Sequence, residues 1–447
     1  MIGREFRPML RLAAPLAAAE LAWMAMGLVD AIMLGPLGPA ALGAGTLGTM
    51  IFYTVAICGT GLLLGLDTLV AQAYGAGDLA ECRTSLVNGL WLGAFLAPVT
   101  ISSSLAFLPL LRWYGINPHV HEQLTAFVTA LVWSIIPLFL YAALRRYLQA
   151  IHVVKPVTFA IISANLINFV GNWILIYGHW GAPAMGVRGS AWSTCLARAW
   201  MALVLLVTVI RHGGFREVDW RPRLDRILAL LRLGLPAAAQ IGFEAAGFAL
   251  VTSMAAKLDE ASLAAHSIAL NVISVTYMVP LGISSAAAVR TGNAIGRGDP
   301  KGVAAAGWSA LLLSAAFMTC AGVLLLLLPG TIIRAYSHDA EVVRTGTLLL
   351  AIAAVFELGD GSQVVATGAL RGIGDTRSPM LVNLVLYWLV GVPLGYVLCF
   401  RCGWGAPGLW LGLCVSLLLI GAILIAVWRR RTSGESCRVA LALRERP

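Results

Sequence analysis

The stretch LAAPLAAAELAWMAMGLVDAIML, residues 12–34, decides the structural class of this chain. It is long and apolar enough to cross the roughly 30 Å hydrocarbon core of a bilayer as one helix. Two carboxylates, Glu20 and Asp30, interrupt it. A charge near the centre of a membrane helix costs about 2.5–3.5 kcal/mol on insertion scales. We therefore expect both acids to face a cavity or a partner rather than lipid.

The rest of the chain has the same apolar character. Of its 447 residues, 59% are hydrophobic and only 12% are charged, whereas a soluble domain has about 25% charged residues. Repeated apolar runs of this length predict an all-α polytopic membrane protein. We place twelve spans, at about residues 10–34, 45–72, 86–111, 121–145, 156–177, 189–210, 230–256, 263–290, 303–328, 341–367, 379–400 and 406–428.

The net charge of +10 could indicate nucleic acid as a partner. The basic residues lie in short loops between apolar runs, so we expect membrane lipids around the chain and no nucleic acid. With the N-terminus in the cytoplasm, 24 Lys and Arg lie on the cytoplasmic side and six on the other. The positive-inside rule therefore predicts a multi-pass protein of a bacterial inner membrane with both termini cytoplasmic.

The opening stretch returns in the second half of the chain. Leu12, Pro15 and Ala17 recur as Leu233, Pro236 and Ala238, and the loop AYGAGD at 73–78 recurs at the same offset as AIGRGD at 294–299. Each half has six spans, so both halves enter the membrane from the same side. This pattern predicts two six-helix bundles related by a pseudo-two-fold axis along the membrane normal, a geometry that transporters use.

This repeat divides the chain into four segments. We predict an N-terminal six-helix bundle at 1–210, a cytoplasmic linker at 211–229, a C-terminal six-helix bundle at 230–428 and a basic cytoplasmic tail at 429–447.

In the first half, the candidate functional acid is Asp30. Asn165, Asn168 and Asn172 share one face of the fifth span because they are three and four residues apart. Their carbonyl oxygens could share a proton network or a sodium ion with Asp30. The alternative is that these amides only join helices through ordinary hydrogen bonds.

In the second half, the candidates are Glu244 in the seventh span and Glu357 and Asp360 in the tenth. Glu357 and Asp360 share a helix face, and the two spans run in opposite directions. Glu244 and Asp360 can therefore meet at similar depth. Clustered carboxylates repel one another, so they suit a proton carrier and equally a hard-cation site. A sodium ion could bind at Glu244, at Asp360 or at Asp30.

Other buried polar residues are weaker candidates. Glu20 and Arg198 could form a structural pair, and Asp67 lies near a cytoplasmic end, where it can reach water. His266 in the eighth span is more typical of a packing histidine than of a functional one. Cys399 and Cys402 form the chain's single CxxC, read either as two free thiols or as an external disulfide.

The sequence has no Walker loop, no HExxH and no GxSxG. We therefore predict that the protein is not an enzyme, that it needs no cofactor, and that an ion gradient drives any transport. An intramembrane enzyme would need a nucleophile with its base or a metal set, and neither is present in the sequence.

Several motifs together resemble one transporter family, the multidrug and toxic compound extrusion (MATE) family, in its NorM-like bacterial branch. The resemblance covers roughly residues 8–428 and depends on LAAPLAAAELAWMAMGLVDAIMLGPLG, LDTLVAQAYGAGD, NWILIYG, GLPAAAQIGFEAAGF, LAAHSIALNVISVTYMVPLGISSAAAVRTGNAIG, ELGDGSQVVATGALRGIGDTRSP and YWLVGVPLGY. It implies a V-shaped, alternating-access antiporter that exports cationic drugs and dyes in exchange for Na⁺ or H⁺. We expect it to act as a monomer.

The resemblance also implies roles for single residues. The family's acids of the first, seventh and tenth helices fall on Asp30, Glu244 and Asp360. Asn168 and Asn172 match amides near the first-helix acid, and Asp67 occupies a position that is often acidic. Glu20 departs from the family pattern. The alternative function within transport is a flippase or exporter of a lipid-linked precursor or metabolite. Such flippases tend to line the cavity with arginines, and here Arg198 is the only arginine expected deep in a span.

Overall fold

A computed structural model describes residues 2–113, 115 and 117–433 of the chain. Its α-helices are α1 (Ile2–Leu34), α2 (Pro39–Leu62), α3 (Gly65–Gly75), α4 (Leu79–Trp113), α5 (Pro118–Leu131), α6 (Ile135–Ala150), α7 (Lys155–Tyr177), α8 (Val187–Arg211), α9 (Leu224–Ala255), α10 (Glu260–Gly296), α11 (Pro300–Leu327), α12 (Pro329–Arg334), α13 (Ala340–Gly372), α14 (Arg377–Leu386), α15 (Val392–Tyr396) and α16 (Gly405–Thr432).

The prediction of an all-α chain with twelve membrane spans is confirmed for the described residues. Three spans are interrupted helices. The second span is α2 followed by α3, and the fourth is α5 and α6 joined by a 3₁₀ turn at Val132–Ser134. In the eleventh span, one π-helical turn joins α14 to α15 and a second follows α15. Pro393 lies between these turns, and a proline inside a helix leaves carbonyl groups without their usual partner.

Several helices extend past the predicted span ends. α6 continues to Ala150, so Arg145, which the sequence places at a loop boundary, is buried inside a membrane helix. The predicted basic tail begins within α16, which runs to Thr432. The remainder of that tail, residues 434–447, lies outside the described residues.

The internal repeat is visible in the backbone. Gly77 and Gly298, which correspond to each other in the repeat, both have positive φ, at 79° and 65°. A glycine reaches this region without steric cost, which lets α3 and α10 each end in a tight turn. The next residue then caps the following helix. Asp78 accepts a hydrogen bond from the Glu81 backbone N–H, and Asp299 accepts one from Gly302, both at 2.9 Å.

The contacts divide the chain into two compact units. Ala18–Ala238 forms one unit, and the described residues before and after it form the other. The two breaks, after Ala17 and after Ala238, fall at equivalent positions of the repeat. The division therefore lies within α1 and α9, whereas the sequence places it at the linker 211–229, of which residues 212–223 lie outside helices.

Close helix contacts explain where the units divide. A Cβ added to Gly61 would lie 2.7 Å from the Ala238 Cα, and one added to Gly282 would lie 2.5 Å from the Ala17 Cα. Both glycines therefore allow an approach that no other residue permits, and the two pairs are equivalent under the repeat. Small residues serve this purpose in membrane helix packing. At the start of α1, Glu5 forms an ion pair with Arg290 of α10.

Each unit has a central helix that carries or supports candidate residues. In the unit that contains α13, this helix packs against α10, α11 and α16. Gly359 and Gly368 of α13 lie against the backbones of α16 and α10, so the acidic part of α13 is enclosed on several sides. In the other unit, α8 packs against α5, α6 and α7. This arrangement places the polar faces of α7 and α8 beside α1.

Candidate functional site

Asp30 is held by three hydrogen-bond donors from two helices. Asn172 and Asn168 of α7 donate their amide N–H groups to Oδ1, at 2.7 and 3.0 Å. Thr194 of α8 donates its hydroxyl to Oδ2 at 3.1 Å. The prediction that Asp30 lies beside these two asparagines therefore holds in the structure. Amide nitrogens, rather than the carbonyl oxygens expected from the sequence, face the carboxylate.

Thr194 was missed in the sequence analysis, although the signal for it was present. It lies four residues before Arg198 on α8, so the two share a helix face. Arg198 is within electrostatic range of Asp30. Its guanidinium donates to Ser134 Oγ at 2.6 Å and to the Tyr53 hydroxyl at 3.2 Å, and it lies 4.5 Å from the centre of the Phe52 ring. Arg198 therefore does not pair with Glu20.

These groups surround a cavity of about 190 Å³ inside the Ala18–Ala238 unit. Asp30, Thr194 and Arg198 form its polar part, and Met26, Tyr53 and Phe127 belong to its lining. Drug-binding pockets have volumes of about 300–1,000 Å³, and one water occupies about 30 Å³. The cavity can therefore hold a small cation with several waters, or only part of an organic substrate.

Asn165 is not part of this site. Its amide donates to the carbonyl oxygens of Ala22 and Ile161, both at 2.9 Å. It therefore joins α1 to α7 through ordinary hydrogen bonds, which was the alternative interpretation of the asparagine face. The side-chain oxygen of Asn172, in contrast, is buried beside Asp30 and has no hydrogen-bond partner within the described ranges.

Three acids gather in the other unit. Asp360 interacts electrostatically with Glu244 and Glu357, as expected from opposed helices with acids at similar depth. Glu357 and Asp360 are buried, with 1% and 7% of their surfaces exposed, whereas Glu244 is partly exposed. Gln363 lies beside Glu244, and Tyr387 is close to both Glu244 and Asp360.

Two carboxylate oxygens of this cluster have no hydrogen-bond partner. Thr276 donates to Glu357 Oε1 at 2.7 Å, but Glu357 Oε2 and Asp360 Oδ1 are buried and unpartnered among the described residues. A buried acceptor without a partner costs about 1–3 kcal/mol, and more when it is charged. Each of these two oxygens is therefore free to accept a hydrogen bond or to bind a cation.

Glu20 is satisfied by a partner that the sequence did not indicate. It forms a buried ion pair with Arg145 of α6. Asp67 forms a second pair with Arg146, at 3.3 Å. The sequence predicts that Asp67 can reach water. In the structure Asp67 is 1% exposed and is enclosed by protein instead. Arg145 and Arg146 thus compensate the charges of Glu20 and Asp67. Glu20, which departs from the family pattern, therefore adds no net charge to the Asp30 cavity.

Both ring nitrogens of His266 have hydrogen-bond partners inside the protein, which is typical of the packing histidine that the sequence favours. Trp410 donates its indole N–H to His266 Nδ1 at 3.0 Å, and the other ring nitrogen lies 2.9 Å from the Thr252 hydroxyl. A nitrogen that accepts from an indole carries no proton, so the imidazole is neutral. Cys399 is buried and Cys402 is exposed, and both are free thiols.

No group of three or more His, Cys, Asp and Glu side chains in the described part of the chain is arranged to hold a metal ion. A sodium ion at either acidic site would therefore need hydroxyl, amide or water oxygens in addition to carboxylates. Thr194 and Asn172 could supply such oxygens beside Asp30, and Thr276 could do so beside Glu357.

Two six-span repeats with acids enclosed in the membrane are an arrangement typical of membrane transporters. Comparison with known proteins identifies the family. The MatE family model matches residues 15–174 and 236–397, one match for each repeat. The multidrug resistance protein NorM of Burkholderia vietnamiensis is 40% identical over 435 residues, which cover 94% of this chain and 92% of the relative.

A second relative is the probable multidrug resistance protein NorM of Brucella suis. It is 34% identical over 462 residues, which cover 98% of this chain and 96% of that protein. The chain therefore belongs to the MATE family, in its NorM-like branch. It is a multidrug efflux transporter that crosses the bacterial inner membrane several times, and small molecules are its substrates.

Solved structures agree on the fold. The eukaryotic MATE transporter AtDTX14 superposes with a TM-score of 0.86 at 21% identity and covers 98% of this chain and 99% of its own. An outward-facing multidrug resistance MATE transporter superposes with a TM-score of 0.88 at 18% identity, with 96% of each chain covered. At these identities the likeness concerns the fold alone.

The ion pair between Glu20 and Arg145 leads to a prediction about stability. Glu20→Gln leaves the Arg145 charge buried without a counter-charge, and we expect a loss of about 3–5 kcal/mol. Thermal unfolding of the purified protein in detergent measures this. The double variant Glu20→Leu/Arg145→Met removes both charges and should recover most of the loss. A Glu20→Gln protein that is as stable as wild type but transports nothing would show a direct role in transport instead.

Proposed function

We propose that this transporter exports lipophilic organic cations in exchange for Na⁺ or H⁺ by alternating access. The observation that carries the proposal is the set of carboxylates enclosed in the membrane with incomplete partners. Within the described residues, Glu357 Oε2 and Asp360 Oδ1 have no hydrogen-bond partner, and Asp30 opens onto a small cavity. A proton or a cation bound at such an acid would neutralise its buried charge, so occupancy of the acid would follow the gradient of either ion.

The Asp30 site suits exchange between two positively charged species. The cavity accepts a hydrated small cation, and a larger organic cation could insert only its charged part. Because both species would need the same carboxylate, they would exclude each other. This competition prevents the coupling ion from crossing without a substrate. Arg198 supports the exchange by offering a nearby positive charge to Asp30 when neither cation is bound.

The acidic cluster would act as a second ion-carrying site. Asp360 interacts electrostatically with both Glu244 and Glu357. A proton or a sodium ion bound at Asp360 would therefore reduce the repulsion among the three acids. Glu244 is partly exposed and is therefore the acid through which an ion would enter. In this proposal the protein works as a monomer. It needs no bound cofactor, because the gradient of the coupling ion drives transport.

The proposed role of Asp30 can be tested by replacing its carboxylate with an amide. Asp30→Asn keeps the size and hydrogen bonding of the side chain but cannot bind and release a cation. We expect the variant to fold and to lose gradient-driven export of ethidium by at least about tenfold. Transport in proteoliposomes, with imposed sodium and pH gradients applied one at a time, measures this and identifies the coupling ion.

Two asparagine variants serve as controls for that experiment. Asn172→Ala removes a donor to Asp30 and should weaken export less than Asp30→Asn does. Asn165→Ala, on the same helix face but bonded to backbone carbonyls, should export at close to the wild-type rate. The proposed role is wrong if Asp30→Asn, at equal abundance, exports at the wild-type rate under both gradients.

A double-mutant cycle tests the acidic cluster. If Glu244 and Asp360 share one ion, Glu244→Gln and Asp360→Asn each remove the same function, and the double variant should be no worse than the poorer single variant. Initial rates of ethidium export in proteoliposomes provide the comparison. Two partial losses that multiply in the double variant would show that the acids act independently.

The orientation of the chain can be tested through its own cysteine. The distribution of Lys and Arg predicts that the loop after α15 lies outside the cytoplasm, and Cys402 in that loop is exposed. A membrane-impermeant maleimide should label intact spheroplasts, and Cys402→Ser should abolish this labelling. Labelling of Cys402 that appears only after lysis would reverse the proposed orientation.

A further inference from the structure

A groove runs along the outside of the Ala18–Ala238 unit, between α7 and α8. Its volume is about 530 Å³. Phe159, Leu203 and Val207 line its apolar length, and all three are exposed. Lys155, at the first residue of α7, and Arg211, at the last residue of α8, lie at one end of it. The groove therefore combines an apolar surface at membrane depth with two positive charges at its mouth.

Neither cation has a counter-charge in the part of the chain that the structure describes. Both side chains are exposed, and no salt bridge within the described ranges involves Lys155 or Arg211. The groove lining also contains no acid. Two uncompensated positive charges beside an apolar groove favour an anionic, amphipathic ligand.

In the second repeat, the turn before α14 carries an acid where the turn before α7 has an apolar residue. The Asp375 N–H donates to the Leu370 carbonyl, as the Val153 N–H does to Leu148, so Val153 is the structural counterpart of Asp375. Asp375 forms an ion pair with Arg431 at 2.8 Å. In the first repeat an apolar residue occupies this position, and the nearby cations are left for an external anion.

The length of the groove indicates what fits it. Along α8, lining residues extend from Trp200 to Arg211, a rise of about 16 Å at 1.5 Å per residue. This is about half of the roughly 30 Å hydrocarbon thickness of a bilayer. The groove is therefore as long as the acyl region of one leaflet, with its charged end at the level of the lipid headgroups.

We propose that this groove binds an anionic glycerophospholipid of the leaflet on the side of Lys155 and Arg211. The two cations bind the phosphate of the headgroup, and an acyl chain lies along Phe159, Leu203 and Val207. Basic pockets between membrane helices bind anionic headgroups in this way. A lipophilic cation is excluded as the occupant because both charges repel it, which separates this site from the path of the exported substrate.

The site has a consequence for transport, which depends on the proposed role of Asp30. The lipid would bridge α7, which carries Asn168 and Asn172, and α8, which carries Thr194. It would therefore fix the spacing of the two helices that hold Asp30. We expect export to be faster in vesicles that contain phosphatidylglycerol than in vesicles of phosphatidylcholine alone.

Native mass spectrometry of the purified full-length protein tests the binding without using transport. The protein is offered equal amounts of phosphatidylglycerol and phosphatidylcholine with the same acyl chains. We expect wild type to retain phosphatidylglycerol with roughly tenfold preference and Lys155→Gln/Arg211→Gln to lose that preference. An unchanged preference in this variant would overturn the proposal.

Two further variants separate the groove from general charge effects. Arg377→Gln/Arg430→Gln makes the same change in net charge in the second repeat, where both arginines are exposed, and should keep the preference. Val204→Trp fills the groove without changing charge and should reduce retention of both lipids. Loss of preference in the first of these, or unchanged retention in the second, would also overturn the proposal. Because these experiments measure lipid binding and not transport, their outcome does not depend on the proposed role of Asp30 in coupling.

Discussion

The structure depends on one constraint, which is that a charge enclosed in a membrane must be matched by another charge, a hydrogen bond or a transported ion. Most of the enclosed charges here meet it within the protein. Glu20 has Arg145, Asp67 has Arg146, and Asp30 has three donors. The cluster of Glu244, Glu357 and Asp360 does not meet it fully, because two of its oxygens have no hydrogen-bond partner among the residues that the structure describes.

The two repeats share a backbone but not a chemistry. Equivalent glycines end equivalent helices, and equivalent helix contacts bring Ala238 to Gly61 and Ala17 to Gly282. The candidate acids do not follow this symmetry. At the offset that relates the repeats, the counterpart of Asp30 is Val251, and the counterpart of Glu244 is Trp23. One fold has therefore been used twice, with an amide-bound carboxylate in one copy and a carboxylate cluster in the other.

The two equivalent helices α1 and α9 are each divided between the two units. The described residues up to Ala17 pack with the unit that contains the second repeat, and the end of the Ala18–Ala238 unit is the first half of α9. α1 and α9 therefore each belong to two compact bodies. Both helices also carry a candidate acid, Asp30 or Glu244, beyond the break.

The sequence by itself determined the class of fold, the number of spans, the repeat and the principal acids. These properties are local or periodic: the length of an apolar run sets a span, a constant offset reveals a repeat, and a charge is conspicuous in an apolar helix. Even the gathering of Asp360 with Glu244 followed from helix direction. Only the tertiary structure decided which partner each charge has. Arg145 lies 125 residues from Glu20, Thr194 lies 164 residues from Asp30, and Trp410 lies 144 residues from His266. Such contacts depend on how helices rotate and pack against one another, which the order of residues along a single helix does not specify.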